Sequence, residues 1–81
     1  MQIAYEMSHD GPYLRIVLPD VVPPDWEALR REVDFECGEP VVRATIVAPR
    51  IHRGAEDEPL RVLIRQLQGA GATVVVAWRA A

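Results

Sequence analysis

Two stretches of this chain are apolar on both sides at once, residues 41–48 (VVRATIVA) and residues 73–78 (TVVVAW), and a segment of helical period lies between them. A strand without clean alternation belongs inside a sheet, where both faces are covered or the neighbours are parallel. The intervening segment repeats Leu60, Leu63, Ile64 and Leu67 on one stripe and Arg61, Arg65 and Gln68 on the other. That spacing predicts an amphipathic helix. Pro59 suits its first turn, where the missing N–H costs nothing, and Gly69 and Gly71 close it. Strand, helix and strand in this order predict a parallel pair joined by a right-handed crossover.

The first half of the chain supplies the rest of the layer. Residues 2–7 alternate, with Ile3, Tyr5 and Met7 on one side and Ala4 and Glu6 on the other, which predicts a strand. Ser8-His9-Asp10-Gly11-Pro12 reads as a turn, since Gly supplies positive φ and Pro fixes its own. Residues 13–18 form a second strand, Leu14, Ile16 and Leu18 facing one way and Tyr13, Arg15 and Val17 the other. The two make an antiparallel hairpin. Three prolines among residues 19–24 prevent a central strand there. Asp25 then stands as an N-cap, followed by Trp26, Leu29, Val33 and Cys37 at helical spacing and a favourable pairing of Glu27 with Arg30 and Arg31. Gly38 and Pro40 end this helix, and residues 49–55 read as a loop before the second one, capped by Asp57 or Glu58.

The order is β-β-α-β-α-β over residues 1–81. It predicts a single α/β domain, a four-stranded mixed sheet with both helices packed on one face. The expected core is Leu14, Ile16, Leu18, Leu29, Val33, Ile46, Leu63, Ile64 and Leu67. The opposite face would carry Tyr13, Arg15, Val17, Val41 and Arg43, with Thr45 and Val47 among them. Tyr and Arg beside aliphatic residues suit an interface, so this face is expected to meet a protein partner or a second copy in a homodimer.

Composition narrows the function. At 81 residues the chain buries roughly 60% of its unfolded surface, and the 49% apolar share makes a dense aliphatic core possible. One cysteine, Cys37, excludes an internal disulfide, and no Cys/His cluster suggests structural zinc. No basic segment precedes an apolar run at the start, and no apolar stretch approaches a membrane span. A cytoplasmic location without membrane insertion is the expectation. The net charge of −3 and the dispersal of the arginines argue against nucleic-acid binding.

No catalytic constellation stands out. Ser8 and His9 are adjacent in a turn, where neighbouring residues rarely reach the geometry of a nucleophile and its base, and His52 lies in a loop; neither histidine has a plausible partner in sequence. Glu56-Asp57-Glu58 reads as the acidic start of a helix, where carboxylates complement the dipole and cap free N–H groups. The alternative is a small accessory or catalytic subunit whose site, using these acids, is completed by a partner. Gly69-Ala70-Gly71-Ala72 follows a helix and precedes a strand, the reverse of a phosphate-binding loop. Cys37 has acidic neighbours in Glu36 and Glu39 and no adjacent cation to activate it. No catalytic, cofactor or metal residue is expected, and the chain reads as a binding protein rather than an enzyme.

The succession of Leu14–Leu18, the Trp26-Leu29-Val33 helix, VVRATIVA, PLRVLIRQL and GAGATVVVAW resembles the STAS domain. That is the family of bacterial anti-sigma factor antagonists, also found as a cytoplasmic module of anion transporters. The resemblance covers nearly the whole chain. It implies a non-catalytic, regulatory protein–protein interaction module whose partner would be an anti-sigma-factor-like kinase or a larger assembly. In that family the second helix opens with Asp, two Ser/Thr residues and Gly, and one hydroxyl takes the phosphate that controls partner binding. Here Glu56, Asp57, Glu58 and Pro59 occupy those four places, so the acid is kept and the acceptor is missing. The family's final helix has no counterpart either.

Overall fold

The computed structural model describes residues 5–19, 25–49 and 58–79. Its first two strands, β1 (Glu6–Asp10) and β2 (Tyr13–Val17), pair antiparallel from Glu6 opposite Val17 to Asp10 opposite Tyr13. Only Gly11 and Pro12 remain between them. Gly11 takes φ +58°, which a two-residue hairpin turn requires and Gly adopts without steric cost. The expected turn at residues 8–12 is therefore shorter than the sequence suggests, and Ser8, His9 and Asp10 belong to β1. Turn-forming residues paired across a strand lose nothing there, because only the two central positions need special dihedrals. Of the expected strand at residues 2–7, residues 2–4 lie outside the described residues.

Helix α1 (Trp26–Glu36) begins as its sequence dictates. The Asp25 side chain accepts a 3.1 Å hydrogen bond from the Ala28 N–H, satisfying one of the free donors of the first turn. Arg31 donates to Glu27 one turn earlier at 3.2 Å. Strand β3 (Arg43–Pro49), helix α2 (Glu58–Gly69) and strand β4 (Thr73–Arg79) complete the order β-β-α-β-α-β. The sheet is mixed, in the order β1-β2-β3-β4, with β2, β3 and β4 mutually parallel. Pro12 ties the hairpin to β3, its carbonyl accepting from Val42 at 2.8 Å and from Arg43 at 3.3 Å.

Each crossover advances one strand in the same direction, so right-handed connections bring both helices to one side. Leu14, Ile16, Leu18, Ala44, Ile46 and Ala48 of the sheet meet Leu29, Val33, Leu60, Leu63 and Leu67 of the helices there, all buried. Gln66 of α2 donates to the Arg30 carbonyl of α1 at 2.9 Å, closing the gap between the helices.

Of the expected core, only Ile64 falls short: it packs against the core while staying half-exposed. The helical stripe is about 100° wide. Ile64 lies at its margin, and like Val74 and Val76 of β4 it packs against the core while staying half-buried. Since β4 ends the sheet, no further element closes over that margin among the described residues.

Candidate functional site

Among the described residues, no helix lies over the second side of the sheet. Registration across the sheet arranges that side in rows. Asp10, Tyr13, Arg43 and Thr73 form one, Ser8, Arg15, Thr45 and Val75 the next, and Glu6, Val17, Val47 and Ala77 the third. Tyr13 is 57% and Val75 42% exposed, while Val17, Thr45 and Val47 are half-buried by their neighbours. Arg79 spans the far end, its guanidinium donating to the Leu18 carbonyl at the end of β2. The face thus carries arginines and a tyrosine around a short aliphatic row, with acids confined to β1.

Four of the five expected face residues meet here: Tyr13, Arg15, Val17 and Arg43. Val41 does not. It is 5% exposed and belongs to the core. Period-two counting places Val41 with Arg43 only if the strand already runs at residue 41. The strand begins at Arg43, and before it the chain is bent so that Val42 and Arg43 both donate to the Pro12 carbonyl. Ahead of a ladder, the alternation rule does not apply.

Of the acidic helix start, Glu56 and Asp57 lie outside the described residues. Glu58 and Pro59 are the first residues of α2, both exposed. With Trp26, Arg30 and Val62 they line a depression of about 230 Å³ between the starts of the two helices. This is the end of the sheet to which the carboxyl ends of β2 and β3 lead, where open α/β sheets place their ligands. Its lining offers one carboxylate, one guanidinium and apolar surface.

The structure supplies what the sequence seemed to lack for His9. Its Nδ1 lies 2.8 Å from Glu36 Oε1, across 27 residues of sequence, and its Nε2 is buried without a hydrogen-bond partner. Four residues earlier, and one helical turn earlier on α1, Tyr5 Oη donates to Glu32 Oε1 at 2.6 Å. Tyr5 and His9 share one side of the strand, Glu32 and Glu36 one side of α1, so the two contacts fasten β1 beneath the helix. Burial first, and then the Glu32 carboxylate, push the Tyr5 phenol up to about 12. Nothing local predicts these pairs, since i to i+4 on a helix and on a strand coincide only after packing. Cys37, half-buried at the end of α1, has its thiol pushed upward by desolvation and then by Asp34 and Glu36, the opposite of nucleophile activation. His52 lies outside the described residues. Among the described residues no cluster of His, Cys, Asp and Glu could hold a metal ion, and no helix is long and apolar enough to cross a membrane.

Taken together these features define a small α/β layer whose two helices pack on one sheet face, the other carrying no helix among the described residues. No family model matches the chain, and neither a curated protein nor a solved structure matches it.

Proposed function

We propose that this chain is a non-catalytic protein-binding module, a STAS-like regulatory or structural subunit without a phosphoacceptor. The observation that carries the proposal is the helix-free sheet face, where Tyr13, Val17, Val47 and Val75 stand among Arg15 and Arg43. Such a surface is built from the side chains that dominate protein interfaces. Aliphatic residues half-buried by their own neighbours need only a partner's side chains to complete their desolvation. The exposed start of α2, with Glu58 and Pro59, extends the reading. It corresponds to the segment where the resembled family is switched. Carboxylates at positions 57 and 58 give this segment a permanent negative charge in place of a reversible one. Replacing Asp57 and Glu58 with Ser is expected to change partner affinity more than stability, whereas a loss of about 1 kcal/mol in stability with affinity intact is what helix capping alone would give.

The face itself is tested by immobilising the full chain and its Val17→Asp variant in parallel against an extract of the source cell. A protein retained by the wild type and roughly tenfold less by the variant is the expected result, with far-UV circular dichroism unchanged. Equal retention would remove this face from the binding surface.

A further inference from the structure

The two edges of the sheet are built differently. β1 (EMSHD) bears Glu6, His9 and Asp10, the charge-bearing pattern by which natural sheets protect an edge. β4 (TVVVAWR) runs seven residues with no proline and no charge before Arg79. Among the described residues it has β3 on one side and no strand on the other. The Thr73 N–H donates inward, to the Val42 carbonyl at 2.9 Å. Backbone groups alternate along a strand, so those of Thr73, Val75 and Ala77 serve β3 and those of Val74, Val76 and Trp78 point away from the sheet. On the helix side of the strand Val74 and Val76 pack against the core while staying half-exposed, as does Ile64 of α2, and Trp78 is 37% exposed.

We infer that two copies of this chain join through β4, antiparallel about a two-fold axis at Val76, into one continuous sheet. The occupant follows from the self-complementarity of the strand. With Val76 opposite its own copy, Val74 falls opposite Trp78, and every outward N–H and C=O of these residues finds its mate in the other strand. On the helix side an aromatic residue faces a β-branched one, a favourable cross-strand pairing. On the open side Val75 falls opposite Ala77 and Arg79 opposite Thr73, so no like charges meet. The joined sheet then ends in a β1 at either side. Those charged edges stop further growth, so the assembly closes as a dimer and does not propagate as a fibre. This contact lies at the sheet's edge and leaves the helix-free face open for the partner proposed above.

The test is amide hydrogen exchange of the full chain at low and high protein concentration, with sedimentation equilibrium on the same samples. The expected result is a monomer–dimer equilibrium in which the Val74, Val76 and Trp78 amides slow by roughly tenfold or more as the dimer forms. Val76→Pro removes a donor that points away from β3, so it spares the internal ladder. It is expected to raise the dimer dissociation constant by roughly tenfold to a hundredfold. A chain that stays monomeric at high concentration would overturn the inference. So would a dimer in which these amides exchange as fast as in the monomer, which would place the contact on the open face or at β1.

Discussion

Ile46 and Val47 are consecutive residues of β3, paired to the same two strands on either side, yet they occupy different surroundings. Ile46 is fully buried among the helices' leucines, whereas Val47 is half-buried in a row of side chains over which, among the described residues, no helix lies. The difference arises from connection chirality, since both crossovers deliver their helices to the same side. It teaches that in so small a layer the burden of stability falls on one side of the sheet. The covered side holds the fold, and the side chains of the other contribute less to it.

Substitution on the two sides measures that division. The largest effect is expected at Ile46→Ala or Leu63→Ala, each costing about 2–5 kcal/mol in a denaturant titration. For a domain whose whole stability is on the order of 5–10 kcal/mol, this approaches unfolding. Val47→Ala, by contrast, should cost about 0.5–1 kcal/mol, the value of two half-buried methyl groups. Equal losses for Ile46→Ala and Val47→Ala would mean that both faces are covered in solution.

The smallest effect concerns β1, which the covered side holds through Tyr5 and His9. The phenol of Tyr5 ordinarily titrates near 10 and is held at about 12 in the folded chain. A folded state that retains the proton longer is stabilised by it below pH 10, and that contribution disappears as pH rises from about 10 to 12. Tyr5→Phe is therefore expected to flatten part of the stability decline across that window, read as urea midpoints at successive pH values. Cys37, also shifted upward, supplies a share that remains in the variant. An unchanged alkaline slope in Tyr5→Phe would show that the Glu32 contact does not persist in solution.

The contrast between the faces was legible in advance only as far as local rules reach. Leu14, Ile16 and Leu18 against Tyr13, Arg15 and Val17 declared their two sides through alternation, and the structure keeps them so. Val41 escapes alternation because it precedes the ladder, where the period of two does not hold. Ser8, His9 and Asp10 read as turn because good turn residues pair equally well across a hairpin.

By itself the sequence determined the element order, the Asp25 cap and the aliphatic core. Each is written in spacing or in residue type within a few positions, because propensity, capping and periodicity are local interactions. The tertiary structure alone decided that His9 meets Glu36, that Val41 joins the core, and that Ile64 is left at an uncovered margin beside β4. These depend on which strand ends the sheet and on how a helix settles across it. Such contacts between residues far apart in the chain are set by packing the whole layer at once, and no local pattern encodes them.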